Sequence, residues 1–135
     1  MNFMVLNRDK IGKFLVTDKH IVISVKDPNS ERAKLPKSSS RLSVLDLEFD
    51  DVDWAKPSCA YIIFTKEMAR QIVFFFNKYK DKVDLVICQC EAGISRSSAI
   101  AAGLSKIIGQ DDSIYFKEFI PNRFVYRTIL EEGLK

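Results

Sequence analysis

Residues 85–98 read LVICQCEAGISRSS, and the parsing of this stretch decides the fold. Val83 to Gln89 (VDLVICQ) is a short, largely apolar run, suited to a central strand buried on both faces. Ser97 to Ile108 reads as a helix with Ala99, Ala101 and Ala102 inside it, and Gly109 stands where a C-terminal cap belongs. The tight loop between them runs from Cys90 to Arg96 and holds one glycine. Strand, loop and helix in this order suit an anion. The first amides of a helix have no partner inside it, and the peptide dipoles leave partial positive charge there.

The ends of the loop add chemistry to that geometry. Gly93 allows a backbone angle that other residues resist, so the amides of Glu91, Ala92, Gly93, Ile94 and Ser95 can turn inward while their side chains point out. A cysteine facing those amides has its thiolate stabilised. A thiolate is a strong nucleophile and can form a covalent intermediate with phosphorus. Arg96 offers paired planar donors to two phosphate oxygens, and such contacts strengthen as the transferring group becomes planar.

Outward from this centre the pattern alternates. Phe3 to Leu6 predicts a short strand and Asp9 to Val16 a short helix; His20 to Val25 and Leu42 to Phe49 predict strands. Thr65 can cap a helix running to about Tyr79, with Ile72, Phe75, Phe76 and Tyr79 at core spacing. Pro121 can open a last helix from Asn122 to about Glu132. Residues 26–41, with two prolines, several serines and five basic side chains, read as a solvated loop between two strands, with a substrate-docking patch as the other possibility. Strands alternating with helices imply an α/β domain of three layers, a central mostly parallel sheet flanked by helices. At 135 residues, the whole of 1–135 is expected to be a single domain.

Composition narrows the function. A hydrophobic content of 47% and a charged content of 29% are those of an ordinary soluble domain. The net charge of +3 is spread along the chain; it fits an anionic ligand and does not call for nucleic acid. Three cysteines (Cys59, Cys88, Cys90) make a poor disulfide framework, which points to a reducing compartment. The longest apolar runs, such as Ile72 to Phe76, are too short for a membrane span, and the N-terminus turns polar too soon for a secretory signal. The expectation is a cytoplasmic protein with no membrane association. No metal-ligand cluster is visible, and His20, the only histidine, reads as structural.

With these residues in view, the chain resembles a known family. Cys90-Glu-Ala-Gly-Ile-Ser-Arg96-Ser97 is similar to the cysteine-x5-arginine-serine signature of the protein tyrosine phosphatases, and looks closest to the small dual-specificity type. The resemblance covers roughly residues 42 to 130. It implies that Cys90 is the nucleophile, that Arg96 and the loop amides bind the phosphate, and that the Ser97 hydroxyl helps the sulfur leave during hydrolysis of the phosphoenzyme. It also implies a carboxylic acid to protonate the leaving oxygen. Phe49-Asp50-Asp51 matches the family's acid loop with Asp51 in the catalytic place, ahead of Asp50 and then Asp53, although Asp51 lies somewhat further from the cysteine than the family leads one to expect. Pro121-Asn122 matches a pair whose asparagine braces the phosphate loop.

Three departures weigh against a simple transfer. Gln89 stands where the family has histidine, Glu91 puts negative charge in the loop, and the loop holds no lysine, which disfavours lipid phosphates. The implied activity is a phosphomonoesterase that works without a cofactor through a cysteinyl-phosphate, on a phosphorylated protein or a small phosphomonoester. Nucleic acid enters only as a phosphorylated end. A non-catalytic phosphate reader and a rhodanese-like sulfurtransferase are the alternatives. Cys88 could trap an oxidised Cys90 as a disulfide or simply pack in the core.

Overall fold

The computed structural model describes residues 1–54 and 60–135; Cys59 and the start of the loop ahead of the helix capped by Thr65 lie outside the described residues. The elements are β1 (Asn2–Leu6), α1 (Arg8–Ile11), β2 (His20–Lys26), β3 (Arg41–Glu48), α2 (Lys66–Tyr79), β4 (Leu85–Gln89), α3 (Arg96–Ile107), α4 (Ser113–Glu118) and α5 (Arg123–Gly133). All strand pairs are parallel, in the order β1-β4-β2-β3. Residues of β4 are buried throughout, as its uninterrupted apolar run requires of a strand covered on both sides.

The two faces of the sheet hold different cores. Ile21, Ile23, Val25, Val86 and Cys88 point into the larger one, against Ile72 and Phe76 of α2, Ile100 and Leu104 of α3, and Val125 and Ile129 of α5. A fully buried side chain such as Phe76 contributes on the order of 1.5–3 kcal/mol relative to exposure. Val22, Leu85 and Ile87, the alternate positions, face the other way with Leu6 and Ile11. Among the described residues, that second face is covered by α1 and by extended chain carrying Phe14, Val16, Ala33 and Leu35, so the third layer there is thin.

The helix expected over Asp9 to Val16 is therefore one turn long. Chain beyond Ile11 leaves the helix at Gly12 and runs extended, which brings Phe14 and Val16 onto the sheet. Between β2 and β3, residues 27–40 cross over with no helix at all, as expected for a loop. Helix α4 was not foreseen in the sequence. Alanines make α3 the central helix: it is buried from Arg96 to Ser105, lies between the sheet and α5, and a Cβ at Gly103 would come within 2.8 Å of Ile129 Cγ2. No described helix is long and apolar enough to cross a membrane.

Candidate active site

Parallel strands end on the same edge, so the residues after β1, β2, β3 and β4 meet there. In open α/β sheets, ligands settle at the carboxyl ends of the strands where the connection order reverses. Here β4 is inserted between β1 and β2, and the chain leaves it at Cys90. Gly93 has φ +66°, and a Cβ on it would lie 2.6 Å from the Asn7 nitrogen and 2.8 Å from the Leu6 carbonyl carbon. The loop thus leans on the end of β1 at a point where only hydrogen fits.

Hydrogen bonds hold the loop from outside. Cys90 N–H donates to the Leu6 carbonyl (3.4 Å), and the Glu91 carbonyl accepts from Arg8 N–H (3.2 Å). On the far side, the carbonyls of Ile94 and Ser95 accept from the amides of Ile120 (3.3 Å) and Asn122 (3.1 Å). Ser98 Oγ also donates to the Ile94 carbonyl. Among the described residues, the amides of Glu91 to Ser95 donate to no backbone carbonyl. Carbonyls engaged outward and amides left free make an electropositive hollow.

Cys90, which opens the loop, is 2% exposed, with its sulfur 3.0 Å from Ser97 Oγ. Arg96 is 5% exposed, and its guanidinium is held by two strand ends: Nη1 donates to the Phe49 carbonyl (2.7 Å), and Nη2 lies 2.7 Å from Asp27 Oδ1. Its Nε, also buried, has no hydrogen-bond partner. Buried donors without partners are uncommon, and one on the residue that closes a loop of free amides is suited to an oxyanion.

The three acids after β3 separate clearly. Asp50 accepts from Ile62 N–H (2.7 Å) and Asp53 from Phe124 N–H (2.7 Å), so both carboxylates stabilise backbone. Asp51 alone reaches the loop: its Oδ1 accepts from Ser95 Oγ (2.8 Å) and from Asn122 Nδ2 (2.9 Å). Asn122 caps α5 and donates to the Val52 carbonyl as well, so its side chain braces the segment after β3 while its main-chain N–H holds the Cys90–Arg96 loop.

The departures at Gln89 and Glu91 have structural counterparts. Gln89 is buried; its amide nitrogen donates to the Cys90 carbonyl (3.0 Å), and its oxygen accepts from Ser24 Oγ on the neighbouring strand. Glu91 turns toward Arg8 at 3.5 Å, a half-exposed pair that takes its charge outward. Cys88 is fully buried, and burial first, then the charge of Cys90, pushes its thiol well up, as befits a core residue. His20 is buried with its ring against the Asp18 carbonyl. Trp54 stacks edge-on with Tyr61, and both line a groove of about 830 Å³ beside Asp53 and Phe124.

Asp27, Ser24 and the Phe49 carbonyl were missed in the sequence. Asp27 lies in a polar turn, KDPNS, that looks like any solvated turn; only strand order brings it to Arg96.

Substituting Gly93 gives a direct check on the loop. Gly93→Ala forces a left-handed angle on an L-residue and a clash with main chain that cannot yield, and is expected to cost about 1–3 kcal/mol or more. Chemical denaturation and oxyanion affinity, measured together, should both fall; an Ala variant unchanged in both contradicts the geometry described.

Fold and site together define an α/β domain with the protein tyrosine phosphatase fold. The chain is similar to a mouse protein described as a dual-specificity phosphatase complexed with zinc tungstate, with TM-score 0.64, 13% identity, and coverage of 98% of this chain and 82% of that one. It is similar also to PTPMT1 in complex with PI(5)P (TM-score 0.59, 12% identity, 98% and 90% covered). A third likeness is to the human tyrosine phosphatase-like serine/threonine/tyrosine-interacting protein (TM-score 0.55, 15% identity, 85% and 76% covered). At these identities the likeness is one of fold. No protein-family model matches the sequence, and no curated protein matches it.

Proposed function

We propose that this protein is a cysteine-dependent phosphomonoester hydrolase of the tyrosine and dual-specificity phosphatase type. The observation that carries the reading is the pair of buried groups at the two ends of a loop whose amides are free, Cys90 at its start and Arg96, with an unpartnered Nε, at its end. In this reaction the Cys90 thiolate attacks phosphorus and forms the S–P bond as the P–O bond to the leaving group breaks. Asp51 gives its proton to the departing oxygen. Water then attacks the phosphoenzyme, Asp51 takes up a proton from it, and the sulfur leaves as thiolate, its charge eased by the Ser97 hydroxyl 3.0 Å away. Arg96 and the loop amides hold the equatorial oxygens, which carry the charge of the planar transition state.

Phosphotyrosine and phosphoserine or phosphothreonine of proteins are the substrates this reading favours. PTPMT1 is described with a phosphoinositide, but lysines inside the loop, which would favour such a polyanion, are lacking here. A reducing cytoplasmic setting keeps the thiol available. The second reading, a phosphate reader without turnover, draws on Gln89 and on the phosphatase-like interacting protein among the similar folds.

Release of phosphate from p-nitrophenyl phosphate and from a phosphotyrosine peptide tests the proposal. Asp51→Asn should lower kcat on the peptide by about 10²–10⁴-fold and affect p-nitrophenyl phosphate less, because a better leaving group needs less protonation. Stoichiometric phosphopeptide binding by the wild type with no release would select the reader instead.

A further inference from the structure

Resting on the phosphatase reading, we infer that Asp27 is a positioning residue: it fixes the Arg96 guanidinium so that one edge faces the phosphate. A guanidinium has five N–H donors in one plane. The Phe49 carbonyl takes one from Nη1, and the Asp27 carboxylate forms an ion pair with Nη2, its Oδ1 2.7 Å away. What remains unpartnered and buried is Nε, and in a planar guanidinium its hydrogen lies on the same edge as one hydrogen of Nη2. Those two form the fork that binds an oxyanion through two oxygens. With the Phe49 bond alone, the plane could pivot about one contact.

The turn that carries Asp27 is itself held. Asp27 O accepts from both Ser30 N–H (3.2 Å) and Ser30 Oγ (2.8 Å), and Asn29 takes the left-handed angle that closes the turn. Lys26 Nζ donates to the Ser30 carbonyl (2.8 Å) and pairs with Glu48 of the adjacent strand at 3.2 Å. A carboxylate this firmly mounted, yet 43% exposed at its side chain, orients the arginine without being needed to hold the core together.

Charge and orientation make opposite demands. As a charge alone, Asp27 repels a phosphate dianion, so its removal would tighten oxyanion binding. As an orienting acceptor, it raises the rate by keeping the fork aligned with the equatorial oxygens, and its removal slows the chemical step. Asparagine separates the two, because it discards the charge and keeps an oxygen for Nη2.

The experiment compares wild type, Asp27→Asn and Asp27→Ala for kcat, KM, vanadate inhibition and thermal unfolding. Expected for Asp27→Ala is a fall in kcat of roughly ten- to a hundredfold with KM changed less than about threefold. Vanadate inhibition should weaken in step, as for a transition-state mimic. Asp27→Asn should regain most of the kcat, and both variants should unfold near the wild-type temperature. Equal impairment of the two variants, tighter vanadate binding in Asp27→Ala, or wild-type kcat in Asp27→Ala overturns the positioning role while leaving the phosphatase reading intact. A wild type that neither turns over nor binds vanadate overturns both.

Discussion

Cys90→Ser should abolish turnover, lowering kcat on p-nitrophenyl phosphate by about 10⁴-fold or more, as loss of a nucleophile does in other covalent enzymes. The reason is ionisation as much as bonding. A thiol loses its proton far more readily than a hydroxyl. Serine presents a neutral, weakly nucleophilic oxygen. Its hydroxyl can still bond to Ser97 Oγ, which lies 3.0 Å from the sulfur, so the variant should fold. It should also keep its oxyanion affinity, since Arg96 and the amides are untouched. Isothermal titration with a phosphotyrosine peptide checks this: binding without release is the expected result, and undiminished release would end the covalent mechanism.

Arg96→Lys is expected to cost about 10²–10³-fold in kcat/KM, with most of the loss in kcat. Lysine retains the charge and loses the plane. One ammonium cannot serve the Phe49 carbonyl, Asp27 and two phosphate oxygens together, whereas the guanidinium has a donor for each. The stability cost should be smaller than for a fully buried pair, because Asp27 is partly solvated and water can replace its lost partner. Steady-state kinetics alongside thermal unfolding separate these effects. A lysine variant with unchanged kcat and only a raised KM would mean that Arg96 binds substrate and transition state alike, and is not the group that stabilises the planar phosphoryl.

Both effects depend on a meeting of strand ends, and the sequence discloses only part of it. The continuous stretch from Val83 to Gly109 was legible because its signals are local: an apolar run with the composition of a covered strand, one glycine, and small residues through the helix that follows. Each acts within a few residues of its cause. Helix α2 was legible for the same reason, with Thr65 accepting from Met68 N–H as a cap should and four aromatic and aliphatic positions at helical spacing. The overestimate at Asp9 to Val16 shows the limit. Periodicity there competed with an open sheet face, and Phe14 and Val16 gain more burial by crossing that face than by extending a one-turn helix.

The separation of Asp50, Asp51 and Asp53 shows the same limit at the site. Adjacent acids are chemically alike, and their local sequence says nothing about which backbone amides will come within reach. Two of them meet amides of Ile62 and Phe124, and the third meets Ser95 and Asn122, through contacts spanning 12 to 71 positions.

By itself, then, the sequence determined the strand–loop–helix unit with Cys90 and Arg96 at its two ends, because short-range sterics, hydrophobic period and the need to satisfy helix amides leave little choice there. Only the tertiary structure decided that Asp51 is the acid facing the loop, that Ser24 steadies Gln89, and that Asp27 clasps Arg96. Those pairings depend on the parallel order β1-β4-β2-β3, which brings distant strand termini to one edge and is set by the packing of the whole sheet, not by any segment of it.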